Sequence, residues 1–291
     1  MKEKTKRRYG DRKDGTLIRD IDSMHYITPY LYPNRADNEA YISERIDITN
    51  LKAYLAEKNA KNDGAPYTLF HAILTALIKT IILRPKMNRF IQGKRIYQRN
   101  NFSAAFVVKK QFADEAHEAL AFLYFDENTT LTSAHGQIME EITSCRGDKP
   151  DSSTDSMNML QKLPRFLCTF VLWCLRKLDY YGKVPASLIE TDPYYASVVI
   201  SNLGSIKLKS GYHHLTNWGT NSLFCIIGEK KLSPFFSDDG AVTMRETVDI
   251  GLTVDERIAD GYYYSKTVRL FKHLLEHPEL LDRPAGESVE F

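Results

Sequence analysis

Two short stretches hold the residues best suited to chemistry. In SVVISNLGS (197–205) an apolar strand runs out into Ser201, Asn202, Leu203 and Gly204, so small hydrogen-bonding groups emerge where the strand leaves the core. A hydroxyl there can donate to an oxyanion, although Ser-Asn-x-Gly is also ordinary turn chemistry. In VDERIADG (254–261) two acids and a base precede Asp260-Gly261 at a strand-to-helix corner. Glu256 holds the pivot, where a carboxylate can act as a base, and Arg257 can pair with a carboxylate. Asp260-Gly261 serves equally as a turn and a helix cap.

Histidines offer less. His273 and His277 stand four apart, a spacing that can hold a metal, but Leu274 occupies the place where a zinc hydrolase needs its Glu. The last turn of a helix favours His in any case, and no metal is expected. His213 and His214 are adjacent on a loop or a strand, and strand alternation would send their rings to opposite faces, leaving at most one for a pocket.

Several elements must position these residues. Ile46–Thr49 reads as a strand end, with Thr49 capping a helix over LKAYLAEKNAKN that stops at Gly64. Thr68 starts a more apolar helix, ended by Arg84-Pro85. A hairpin around Gly93-Lys94, strands at 102–110 and 119–127, and a helix over 133–144 follow. CRGDKPDSSTDS (145–156) is a polar loop. Leu160 to Tyr180 reads as a helix with Pro164 near its start, and its apolar centre, 166–175, as a buried one. Strands at 195–201, 223–229 and 241–254 precede a last helix from Tyr263 to His277. Strands and helices mix without strict alternation, which predicts a mixed sheet covered by helices.

Bulk properties exclude some classes. The chain of 291 residues is 43% hydrophobic and 26% charged, an ordinary globular composition. Net charge is +2, and the first fifteen residues alone carry +4, so the body has no bias towards nucleic acid. Residues 1–20 therefore read as a basic, mobile tail before a single domain over 21–291, with RNA or membrane-surface contact the lesser alternative for the tail. The four cysteines at 145, 168, 174 and 225 show no paired motif, and no apolar signal region follows the basic N-terminus. Cytoplasmic localisation is the expectation. The segment 166–175 is about half the length a membrane span needs.

Taken in order, the motifs resemble the catalytic domain of the 2-oxoacid dehydrogenase dihydrolipoyl acyltransferases, within a superfamily that includes chloramphenicol acetyltransferase. That family carries Asp-His-Arg-x-x-Asp-Gly before its last helix, matched by Asp255, Glu256, Arg257, Ile258, Ala259, Asp260 and Gly261. Its strand ending Ile-Ser-Asn-Leu-Gly is matched by Ile200 to Gly204. Pro85 to Asn88, the Asp47-Thr49-Leu51 helix start, the Asp-Gly turn at 239–240 and HPELL at 277–281 are similar too. The resemblance covers about residue 40 to the C-terminus.

It implies an α/β two-layer sandwich assembled as a homotrimer or a larger assembly of trimers, with active sites between subunits. It also implies coenzyme A or an acyl-CoA thioester as ligand, with no lipoyl domain before residue 40 and no lipoyl group on this chain. A His deprotonates a thiol in the family, and a serine of the facing subunit donates to the oxyanion. The serine role falls on Ser201 and the base position on Glu256; Asp260, Arg257, Asn202 and Gly204 are structural at the site. Arg19 and Arg35 are candidates, by order alone, for the arginine that partners Asp260.

Glu in place of His changes the energetics. Proton transfer from a thiol (pKa about 8.5) to an imidazole (about 6.5) is uphill by roughly 3 kcal/mol, and to a carboxylate (about 4.3) by roughly 6 kcal/mol. The difference is a further loss of about a hundredfold or more, unless burial in a dry tunnel raises the carboxyl pKa. Slow or absent acetyl transfer is the expectation, and a trimeric pseudoenzyme that binds an acyl-CoA-like ligand or a protein partner is the alternative. An active enzyme predicts a buried Glu256 facing Ser201 across a subunit interface at the end of an open channel, whereas a pseudoenzyme predicts a filled channel or Glu256 locked in an ion pair. The tyrosines of 179–195 either reshape the pocket or pack in the core.

Overall fold

The computed structural model describes residues 7–109, 118–146, 160–237 and 239–291. Its strands are β1 (Gly15–Leu17), β2 (Glu39–Asp47), β3 (Arg89–Gln92), β4 (Arg95–Arg99), β5 (Phe102–Lys109), β6 (Glu118–Phe125), β7 (Val198–Asn202), β8 (Leu223–Phe236) and β9 (Val242–Asp255). The helices are α1 (Ser23–Leu31), α2 (Thr49–Ala60), α3 (Leu69–Leu83), α4 (Leu131–Arg146), α5 (Arg165–Tyr180), α6 (Ala186–Thr191) and α7 (Gly261–Glu276). Six strands form the main sheet in the order β2-β9-β8-β7-β5-β6, and β1-β4-β3 form a small second sheet. Strand β7 runs parallel to both its neighbours, β5 and β8, while the other pairs are antiparallel. The mixed sheet anticipated from the sequence is therefore present.

Side-chain alternation gives the sheet two unlike faces. Val198 and Ile200 of β7, Cys225 and Ile227 of β8, and Ile250, Leu252 and Val254 of β9 meet Leu51, Ile73, Leu77, Ile138, Phe271 and Leu274 from α2, α3, α4 and α7 in the main core. The opposite face carries a smaller apolar cluster that includes Ala105, Val199, Phe224 and Ile226. Ser201 follows Val199 by two residues, so it belongs to this second face.

Local chemistry explains most boundaries. Thr68 caps α3 in a reciprocal box with His71, and Pro85 follows its end. Gly93 and Lys94, with φ of 59° and 62°, make the two-residue turn between β3 and β4. At α2 the expected Thr49 cap is displaced by two residues. Thr49 is the first helical residue, and its N–H and hydroxyl both donate to Asp47 Oδ1. That helix also ends at Ala60, before Gly64.

Two expectations are corrected. Residues 7–20 are not a loose tail. Arg12 is only 2% exposed, and its guanidinium donates to Asp14 Oδ1 at 2.8 Å and to Asp179 Oδ1 at 2.7 Å. Gly15–Leu17 then pair with β4. The pull is a buried ion-pair cluster joining residues 167 apart in sequence; residues 1–6 lie outside the described residues. The helix expected over 160–180 instead begins at Arg165, after Pro164, and it is not buried. Phe166, Phe170 and Trp173 form an outward stripe, 77%, 59% and 55% exposed, and Asp179 is the only buried residue of α5. The polar loop expected at 145–156 lies mostly outside the described residues, and Cys145 and Arg146 end α4.

Candidate active site

Ser201 lies in the last turn of strand before a short 3-10 helix, Leu203–Ile206, that carries the chain off β7. The descent is tight. A Cβ on Gly204 would sit 2.4 Å from the Gly228 carbonyl oxygen on β8, so only glycine fits. The Ser201 hydroxyl forms no hydrogen bond among the described residues. It faces a cavity of about 570 Å³ lined by Thr68, Phe70, His71, Phe106, Asn202 and His213, among others. A second opening, about 610 Å³, adjoins it through Thr68, Phe70, Asn202 and Ser205 and reaches Lys52, Lys230 and Gly204. Asn202 stands on the wall between the two.

Glu256 is held elsewhere by a rigid frame. Asp255 is fully buried and takes a two-pronged grip from Arg257, with Nε and Nη2 each at 2.7 Å, while Arg257 N donates to Asp255 Oδ1 at 3.2 Å. Arg257 Nη1 donates to the Tyr32 carbonyl oxygen at 2.7 Å, and Arg35 Nε lies 3.7 Å from Asp255 Oδ2. Arg257 thus spends its charge inward on Asp255. Glu256, whose N–H donates to the Asn38 carbonyl oxygen at 2.9 Å, is exposed and in no ion pair among the described residues.

Asp260 caps α7, accepting from Tyr263 N at 2.8 Å, and that bond holds its carboxyl below the usual range. Its cationic neighbour is Lys86, at 3.8 Å. Neither Arg19 nor Arg35 fills that place: Arg19 pairs with Asp11 and Arg35 lies against Asp255.

One chain does not bring Ser201 and Glu256 together. Ser201 pairs with Ile226, which pairs with Gly251 two strands away. Glu256 lies five residues beyond Gly251, about 16 Å further along the strand axis at roughly 3.3 Å per residue.

Of the loop and strand readings for His213 and His214 the loop holds, so their rings are not set apart by alternation. His213 and His214 lie on the loop between β7 and β8, and their rings stack at 4.4 Å instead of pointing apart. His213 also stacks on Phe224, centroids 4.3 Å apart and 11° from parallel, and lines the Ser201 cavity. His71 lines the same cavity; its Nδ1 accepts from Thr68 N at 3.0 Å, and burial lowers its pKa to about 4. Its ring meets His135 edge-on at 4.7 Å, and His135 stacks on Tyr67. His71 was legible only as the residue three after the Thr68 cap. His273 and His277 stand at the end of α7, their rings 4.4 Å apart. Of the tyrosines in 179–195, Tyr195 is buried while Tyr180 and Tyr181 are exposed.

The six-stranded mixed sheet, with helices packed on one face and a parallel strand that carries Ser201 near its end, makes a chloramphenicol acetyltransferase-like fold. Residues 187–282, which span both motifs, match the family model for the 2-oxoacid dehydrogenases acyltransferase catalytic domain, as the Ser201 and Glu256 motifs suggested. Solved structures resemble the chain over nearly its whole length. A probable dihydrolipoamide acetyltransferase from Listeria monocytogenes is 15% identical, with a TM-score of 0.59 over 90% of this chain and 95% of that one. The dihydrolipoamide acetyltransferase of Azotobacter vinelandii is 15% identical, at 0.58 over 91% and 94%. A chloramphenicol acetyltransferase is 11% identical, at 0.51 over 90% and 98%. At such identities the likeness establishes the fold. No curated protein matches the chain by sequence.

Proposed function

We propose that the chain catalyses acyl transfer between thiols, taking the acyl group from a coenzyme A thioester in the Ser201 cavity. The observation that carries this reading is the open cavity of about 570 Å³ against a serine hydroxyl that has no hydrogen-bond partner among the described residues. An unpartnered hydroxyl at the rim of an open cavity is free to donate to a tetrahedral oxyanion as negative charge develops there. The adjoining opening, with Lys52 and Lys230 on its wall, offers the cationic surface that a phosphate-bearing thioester requires.

The site is completed between copies. Within one chain the register keeps the Asp255–Gly261 corner away from the Ser201 cavity, so a neighbouring copy's corner closes that cavity, and a trimer does so for every site at once. The outward apolar stripe of α5 is the kind of surface that assembly covers, which supports a larger association. Four free cysteines support a reducing, cytoplasmic setting. No helix among the described residues is long and apolar enough to cross a membrane.

The pseudoenzyme alternative requires a filled channel or an ion-paired Glu256. Neither is found among the described residues: the Ser201 cavity is open and Glu256 is exposed without an ion pair, while within one chain that cavity does not reach Glu256. Steady-state transfer of acetyl from acetyl-CoA to a small thiol is the test. Transfer above the uncatalysed rate that depends on Ser201 supports the proposal; its absence returns the chain to the pseudoenzyme reading.

A further inference from the structure

We infer that His213, on the same chain as Ser201, is the general base of the reaction and does the work that the Glu256 position no longer does. The inference rests on the acyl-transfer reading above. Four observations carry it.

The first is placement. Ser201 pairs with Ile226, and Phe224 lies two residues back on the same face of β8, a diagonal of about 7–8 Å. The His213 ring rests on Phe224, so imidazole and hydroxyl flank one volume. The second is the tautomer. His213 Nδ1 lies 2.9 Å from the His214 carbonyl oxygen, which can only accept, so Nδ1 carries the hydrogen. Nε2 of the neutral ring is left with its lone pair, the form a general base needs.

Rigidity is the third. The loop is pinned where Ser210 Oγ donates to the Ile226 carbonyl oxygen, and a Cβ on Gly251 would meet the Gly211 oxygen at 2.0 Å. Stacking on both Phe224 and His214 holds the plane of the ring. The fourth is elimination. His71 also lines the cavity, but its Nδ1 lone pair is spent on Thr68 N and burial disfavours its protonation. The same loop carries the stacked His214 ring and Tyr212, which packs on Tyr41, and Glu39 accepts from Leu215 N.

The step balances within the site. As the acceptor thiol sulfur bonds to the thioester carbonyl carbon, its proton passes to His213 Nε2. The carbonyl π pair moves to oxygen, where the Ser201 hydroxyl donates. Collapse re-forms the carbonyl, breaks the bond to coenzyme A sulfur, and returns the proton from imidazolium to the departing thiolate. Proton transfer to imidazole is about 2 pKa units less uphill than to an ordinary carboxylate.

The test measures kcat/KM for acetyl-CoA and a small thiol from pH 5 to 9 in wild type, His213→Gln and Glu256→Gln, with thermal unfolding of each. His213→Gln should lose about 100-fold or more, and Glu256→Gln less than tenfold. The wild-type rate should rise with pH as the base loses its proton, and that rise should persist in Glu256→Gln, a readout that stands even if the His213 variant fails to fold. Loss confined to Glu256→Gln, or a pH-dependent rise that disappears in Glu256→Gln, overturns the inference while acyl transfer itself stands. No transfer by wild type overturns both.

Discussion

Removing Asp255 should cost more than any other single change near the site. Its carboxylate is fully buried and accepts two side-chain bonds of 2.7 Å from Arg257, with Arg35 alongside. Asp255→Ala leaves two guanidinium groups buried without their counter-charge. Breaking a buried pair from one side costs about 3–5 kcal/mol, because the stranded charge keeps its desolvation penalty. Chains of this size lose about 2–4 °C of Tm per kcal/mol, so a fall of roughly 6–20 °C is expected. The assay is thermal unfolding of wild type and variant at one protein concentration, because assembly would couple Tm to concentration. Asp255→Ala combined with Arg257→Met should recover part of the loss, since it removes one of the stranded charges. A single variant within about 2 °C of wild type would refute the claim that this pair holds the Glu256 corner in place.

Two other outcomes follow from the same geometry. Folded His71 has its pKa lowered to about 4 by burial, against about 6.5 unfolded, so between these values the unfolded chain binds a proton that the folded chain does not. Its contribution is complete above about pH 6.5 and lost as pH falls towards 4, by roughly 3 kcal/mol. Denaturant unfolding of wild type beside His71→Gln, which keeps a capping side chain, should show the difference narrowing in that window; parallel curves would contradict it. Gly204→Ala would drive a methyl to within 2.4 Å of the Gly228 carbonyl oxygen, so a loss of about 1–3 kcal/mol is expected by chemical denaturation.

The motifs around Ser201 and Asp255–Gly261 were legible because each is a run of neighbours at the end of a strand. Alternation along β7 and β9 then fixed which residues face the helices. What eluded the sequence depends on long-range closure. Arg12 reads as one more tail cation until Asp179 meets it. The apolar content of α5 says that a surface will be covered, not whether the same chain covers it. For His213 a loop and a strand were both readable, because nothing local shows that 205–222 folds back across β8 as a loop, stacking both rings. Arg257 was readable as a partner for some carboxylate, but its turn inward to Asp255 depends on the short 3-10 helix at 256–258.

The central claim is acyl transfer at Ser201, and the most direct measurement compares wild type with Ser201→Ala. Both would be assayed for acetyl transfer from acetyl-CoA to a small thiol at neutral pH. The account predicts turnover above the uncatalysed rate in wild type and a fall in kcat of about 10²–10³-fold on losing the oxyanion donor, with KM for acetyl-CoA little changed. A wild type that transfers nothing, or an alanine variant that transfers as fast, contradicts it.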